Sequence, residues 1–272
     1  MKPDCSVKKR PVARAVSVQE APAIEFPRTS EVPGSDSRGA EEVLLALAMA
    51  VEQRDNVTAG HCERLALTSL ALGMSMSLDE GSLQTLYRGG FLHDIGKVGI
   101  PDSILLKPAQ LTPEEWAVMQ EHPNRGAQIC GHLTALAPVL PLIRHHHEKW
   151  DGSGYPDRLR GEEIPLLARV LQIADIYDAL TNSRCYKPAY TPKEAIRILE
   201  EETARGWRDP EIVSQFLRIH SEVVSPLVDC SRKADGSLAA LNSALLNVEP
   251  IMKPVASFFV SRSFHYLSGP AA

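Results

Sequence analysis

The chain has 272 residues, 44% hydrophobic and 23% charged, with a formal net charge of −5. That length suits one large domain or two small ones, and the composition is that of a soluble globular protein. The acidic balance argues against a general nucleic-acid binder, which carries a basic excess, but says little about the charge inside any one pocket.

Residues 1–39 carry Pro3, Pro11, Pro22, Pro27 and Pro33 among serine, glycine and scattered charge, with no steady period. They read as a disordered leader. Lys2, Lys8, Lys9 and Arg10 are basic, but no apolar stretch follows them, so no targeting signal is expected. From residue 40 onward a helical period dominates. Residues 41–55 predict one helix. Its apolar run, residues 43–51, falls well below the ~20 residues of a membrane span, and glutamates flank it, so burial within the protein is expected. Residues 60–76 predict a second helix, with Leu65, Leu72 and Met76 available for one face. Residues 80–97 predict a third, broken at Gly89-Gly90.

Thr112 as cap and Pro113 at the first helical position open a helix over residues 112–122. Pro165 introduces a long, mostly apolar helix over residues 166–181. Thr191 and Pro192 repeat the start signal for residues 191–206, and Asp209 caps a helix over residues 209–223. No stretch reads as a strand. The expected fold is all-α, with its core over about residues 40–225. Residues 226–272 hold aromatics and prolines without a period and are left as a tail with no assigned chemistry.

Cys5, Cys62, Cys130, Cys185 and Cys230 are far apart and form no CxxC pair. An odd, scattered set argues against a disulfide framework and a structural zinc site. Idle thiols in a reducing cytosol fit better, so a cytoplasmic location is expected.

The chemistry concentrates in a few places. His93 and Asp94 stand side by side at the end of an apolar helix. Imidazole nitrogen beside carboxylate oxygen suits an ion of intermediate hardness, such as iron, manganese or zinc. Lys97 lies four residues after His93, on the same side of a helix. A solvated helix end would look the same. Asp175 sits among apolar neighbours, where an ionised carboxylate is costly unless a cation or donors hold it, and Asp178 shares its face. An outward polar stripe of Arg169, Gln172 and Asp175 has the same spacing and fits equally well. His61 and His122 are single helical histidines, which are more often surface or satisfied core than ligands.

Residues 144–156 read RHHHEKWDGSGYP. Adjacent helical side chains diverge by about 100°, so His146 and His147 can serve different ions or reach one site from two sides. His145 is read as a neighbour. Gly152 and Gly154 permit positive φ and Pro156 fixes the exit, so the loop can carry Tyr155 over the site.

HDIGK (93–97), GIPDSILLKPAQLTPEE (99–115), HHEKWDGSGYP (146–156) and ADIYDALTNSRCYK (174–187), in that order, resemble the HD-GYP family of phosphodiesterases. This is a branch of the HD metal-dependent phosphohydrolases. The likeness covers about residues 40–220. It implies an HD-type helical bundle with an extended motif loop. It implies hydrolysis of cyclic di-GMP to linear pGpG, and onward to GMP, by water activated at two divalent metal ions. Iron or manganese is the first expectation, with zinc, magnesium or nickel as alternatives.

Carried onto this chain, the family's ligands fall on His61, His93, Asp94, His122, His146, His147 and Asp175. Asp94 would bridge the ions and act in catalysis with Lys97. The substrate contacts would be Tyr155, Arg184 and Lys187, and Asp55 and Asp178 would orient ligands or Lys97. Two departures stand out. Val57 replaces a glutamate that holds a third metal in some members, and Cys185 replaces a proline between the two cations. The implied partner is a cyclic dinucleotide, with no nucleic acid and no membrane, and with room for a homodimer or a signalling protein. Two other readings stay open: a phosphohydrolase acting on another cyclic dinucleotide or a nucleotide, and a module that senses the nucleotide without cutting it.

Overall fold

A computed structural model describes residues 36–55, 60–182 and 188–228. The helices are α1 (Asp36–Arg54), α2 (His61–Ser75), α3 (Glu80–Leu92), α4 (Asp102–Leu105), α5 (Pro113–Met119), α6 (His122–Cys130), α7 (Leu140–His145), α8 (Leu166–Thr181), α9 (Pro192–Ala204) and α10 (Pro210–Ile219). Tighter turns follow the pair His93-Asp94 at Ile95–Gly99 and precede α7 at Thr134–Val139. Among the described residues there is no strand, and no helix is long and apolar enough to cross a membrane.

The helix starts follow from the sequence. The Thr112 hydroxyl accepts from the Glu115 N–H, and the Glu115 carboxylate accepts from the Thr112 N–H. Thr191 and Glu194 repeat this reciprocal pair, and Asp209 accepts from Glu211 and Ile212. Each cap satisfies donors that a helix start leaves free.

Packing does the larger work. One cluster joins Leu65 and Leu72 of α2 to Leu86, Leu171, Tyr177, Leu199 and Phe216. A second joins Ala66 of α2 to Phe91, Leu92, Ile95, Val139 and Ile143. Burying one Leu or Phe side chain is worth about 1.5–3 kcal/mol, several times any single helix propensity. Helix α2 feeds both clusters and is the spine against which the others are set.

Several expectations need correction. Gly89-Gly90 does not break α3, which runs on to Leu92. A Cβ on Gly90 would lie 2.6 Å from the Ala66 Cα, so the glycine there lets α3 press against α2. The apolar run of α1 is only partly buried: Ala48 and Val51 face inward, while Val43 is 66% and Met49 46% exposed. Residues 112–122 are not one helix. α5 stops at Met119, and His122 opens α6. The segment read as leader contributes the first turn of α1, and the segment read as tail contributes the buried Leu227 and Val228. The rest of both segments lies outside the described residues, as do Val57, Arg184, Cys185 and Lys187.

Candidate metal centre

Helix α3 delivers His93 and Asp94 at its C-terminal end, where the chain turns sharply. Gly96 makes that turn fit. A Cβ there would stand 1.9 Å from the His122 carbonyl oxygen and 2.5 Å from the Gly126 nitrogen. No larger residue can occupy this contact between the turn and α6, and the contact brings His122 to Asp94.

Asp94 is the hub. Its carboxylate lies 3.1 Å from His93 Nε2, 3.1 Å from His122 Nε2 and 3.8 Å from His146 Nε2. Two donor groups share it: Asp94 with His122, His146 and His147, and Asp94 with His61 and His93. Asp175 stands beside the second group, 3.8 Å from His61 Nε2. The seven residues singled out as ligands come from α2, α3, α6, α7 with the turn after it, and α8, and they meet in one place.

The imidazoles are held from behind. His93, His122 and His146 each direct Nδ1 at the carbonyl three residues earlier, those of Gly90, Met119 and Ile143. His61 directs Nδ1 at Asp178, at 2.7 Å. In the tautomer with Nδ1–H donating, the one a bound ion would select, each Nε2 carries a lone pair into the centre. His122 and His146 then place two Nε2 atoms 3.4 Å apart with no proton to share. His93 Nε2 and Asp94 Oδ1 are buried without a hydrogen-bond partner. Buried polar atoms of this kind are costly unless something satisfies them, and inward lone pairs grouped around one carboxylate fit cations. Beside the second group is a void of about 10 Å³, bordered by Asp55, His61, His93, Asp94 and Lys97.

The electrostatics agree. Burial first, and neighbouring imidazoles second, push His146 and His147 well below the usual histidine range, so both stay neutral. Burial disfavours the charged Asp94, but His93, Lys97 and His122 outweigh it and keep its carboxyl ionised. Lys97 Nζ lies 2.5 Å from Asp55 and 2.8 Å from Asp94. Burial acts against its charge too, and the two carboxylates overcome it and raise its pKa. Lys97 is therefore not one α-helical turn beyond His93. The tight turn puts it against Asp94, three residues earlier.

The groups behind the site were only partly legible. Asp178 was expected to orient a ligand, and it does contact His61, but it also accepts from Arg64 at 2.6 Å. Arg64, Glu52 and Gln172 were missed. Glu52 accepts from the backbone N–H groups of His61 and Cys62, tying the start of α2 to α1. Arg54 donates to the carbonyls of Lys97 and Ile100 and pairs with Asp102. Gln172 is buried and donates to the carbonyls of His146 and Glu148. The stripe of Arg169, Gln172 and Asp175 thus does not face outward as a set, since Arg169 pairs with Asp209.

The glycine loop folds back on the histidines. Gly152 has φ 82°, but Gly154 serves by size, because a Cβ on it would meet the Lys149 nitrogen at 2.2 Å. Tyr155 stacks on His147 with ring centroids 4.8 Å apart. Burial pushes its phenol pKa up, so the ring stays neutral. His145 is a neighbour, as expected. It and Arg144 hold Asp157, while Glu148 accepts from the Asp157 N–H.

One prediction arises here. Burial would raise the pKa of Asp178, but His61 and Arg64 bring it down to about 2. Its stabilising charge is complete above the ordinary carboxylate pKa near ~4 and is lost as pH falls toward 2. If His61 holds an ion, Asp178→Asn should weaken metal binding by about 10–100-fold, because a buried imidazole of the cluster loses its partner. It should also destabilise the fold above pH ~4, since a buried Arg64 loses its counter-charge. Chelator competition and urea unfolding at pH 7 and pH 3 test the two effects. Unchanged metal affinity would mean that Asp178 serves only the helix pair.

The family model described as HD domain matches residues 46–212. A cyclic di-GMP phosphodiesterase of Vibrio cholerae serotype O1 is 41% identical over 197 residues, covering 67% of this chain and 40% of that protein. A cyclic di-GMP phosphodiesterase response regulator of Xanthomonas campestris pv. campestris is 41% identical over 179 residues, covering 65% of this chain and 47% of its own. A 3′3′-cGAMP-specific phosphodiesterase of V. cholerae is 38% identical over 187 residues, covering 68% and 36%. The chain thus spans less than half the length of each of these curated relatives. A crystal structure of a cyclic GMP-AMP specific phosphodiesterase of V. cholerae superposes with a TM-score of 0.56 at 19% identity, covering 80% of this chain and 61% of that one. At that identity the likeness is one of fold.

Proposed function

The chain belongs to the HD domain family, and from that premise we propose that it hydrolyses cyclic di-GMP to linear pGpG, and onward to GMP, at a centre of two divalent ions. The observation that carries this reading is the shared Asp94. One buried carboxylate stands between two groups of inward-facing imidazoles, with unpartnered His93 Nε2 and Asp94 Oδ1 among them.

The residues that would hold the ions are His61, His93, Asp94, His122, His146, His147 and Asp175. Imidazole with carboxylate suits iron or manganese. Two divalent ions at such a centre supply Lewis-acid polarisation of phosphoryl oxygens and an attacking water of lowered pKa. The chain's own groups do the rest. Lys97 brings a permanent positive charge to the edge of the cluster, where it stabilises charge building on the phosphoryl oxygens. Asp55 fixes the direction of Lys97 and keeps it protonated. Asp178 fixes the ring of His61. Tyr155 covers one face of His147. Arg184 and Lys187 hold the substrate phosphates, a role suited to the guanidinium fork.

The names of the relatives support a cyclic dinucleotide as substrate. The cGAMP-specific relative keeps a second reading alive, in which this chain prefers a mixed guanine–adenine dinucleotide. The buried free thiols of Cys62 and Cys130 accord with a reducing cytoplasm. The deciding experiment is turnover of cyclic di-GMP, cyclic GMP-AMP and bis(p-nitrophenyl) phosphate by the purified chain, loaded anaerobically with iron or manganese. Cleavage of cyclic di-GMP to pGpG is expected. Cleavage of the generic ester alone would overturn the assignment of substrate.

A further inference from the structure

Beyond the cluster lies a separate cavity of about 440 Å³, lined by Ala117, Gln120, Glu121, Tyr155, Arg158 and the glycine loop around Ser153. That size accepts a small planar ligand group. Tyr155 lines it and also stacks on His147, so the same ring borders the cavity and touches the imidazole cluster. The ring of Trp116, 47% exposed, stands edge-on to Tyr155 at 6.2 Å. A phosphate held at the cluster would therefore have its attached nucleoside within reach of this cavity.

The charges in the cavity are unequal. Glu121 is already engaged, accepting from both Nε and Nη2 of Arg125. Arg158 is different. Among the described residues its guanidinium makes no hydrogen bond or ion pair, and its side chain is exposed. Its backbone is tethered next door, because Glu148 accepts from the N–H of the preceding Asp157. Arg158 sits at φ 57°, a conformation uncommon outside glycine. A tethered backbone thus presents a donor fork with nothing from the chain to bind.

We infer that this cavity seats one purine base of the substrate and that Arg158 selects guanine; the inference rests on the cyclic dinucleotide reading above. The fork offers donors only. Guanine presents two acceptors, O6 and N7, spaced for a bidentate guanidinium. Adenine presents N7 beside an amino donor, which would face another donor. The aromatic wall accepts either purine, so discrimination falls to Arg158 and Gln120.

The test is equilibrium binding of cyclic di-GMP and cyclic di-AMP to metal-stripped protein, where no turnover intervenes. The wild type should prefer cyclic di-GMP. Arg158→Gly keeps the positive φ acceptable and removes the fork. It should weaken cyclic di-GMP by about 5- to 150-fold, the worth of one bidentate base contact, and leave cyclic di-AMP nearly as before. Arg158→Gln adds a side chain that pairs with adenine N6 and N7, and should move the preference toward cyclic di-AMP. Equal loss on both ligands would place Arg158 on a phosphate and overturn the inference. So would an unchanged preference, or no binding of either ligand by the wild type. Turnover of cyclic di-GMP by the metal-loaded wild type separates the two ideas. Turnover with an Arg158-independent preference defeats only the base site. An Arg158-dependent preference without turnover defeats only the hydrolysis.

Discussion

Asp94→Ala should abolish hydrolysis and release bound metal while the helical fold persists. Asp94 is the one residue common to both donor groups, so its loss damages both at once. Transition-state stabilisation by the ions is worth several kcal/mol, and at 1.36 kcal/mol per tenfold this predicts a fall in turnover of at least about 10³. The fold should survive because Asp94 contacts ligands and Lys97 rather than the apolar clusters, and because Lys97 keeps its pairing with Asp55. Elemental analysis, circular dichroism and turnover on the same preparation test all three parts. Near-normal turnover with metal retained would sink the shared-carboxylate reading.

Lys97→Ala should separate chemistry from metal binding. A charged ammonium has no lone pair and cannot be a ligand, so metal content should stay intact. Turnover should fall by about 10²–10³, the range for removing one donor to a developing oxyanion. The truncation leaves Asp55 and Asp94 near each other without their cation, so the metal-free variant should also unfold at lower urea concentration than the wild type. Added metal should restore much of that stability, because only the native centre binds it. If Lys97→Ala lost its metal, the lysine would be a support for Asp94 and not a participant in the reaction.

What the sequence disclosed divides along a physical line. Thr112-Pro113, Thr191-Pro192 and Asp209 announce helix starts because a cap is a contact between near neighbours in the chain. His93, Asp94, His146 and His147 stood out because they sit in short local motifs, whereas His61 and His122 carry no local signal and were singled out only through the family resemblance. Glu52, Arg64 and Gln172 were not legible. Each acts across space on a different element: Glu52 on the start of α2, Arg64 on α8, and Gln172 on the turn after α7. No local period signals such a partner. The same limit explains α1, whose apolar run was expected to be buried. Periodicity states that a helix has an apolar side but does not state how much of it finds a neighbour. It also explains Lys97. Counting in α-helical turns placed it one turn beyond His93, whereas the turn after Asp94 is tighter because Gly96 lets it close on α6.

The end of α1 has a consequence for how small this protein can be made. Asp55 steers Lys97, Arg54 holds the carbonyls of Lys97 and Ile100, and Glu52 fixes the first residues of α2. A fragment beginning at Gly60 would keep every histidine and aspartate of the cluster. It would lose the three side chains that aim the lysine and anchor His61. The minimal functional piece therefore reaches back through a helix that holds none of the proposed ligands, and trimming guided by the motifs alone would cut it away.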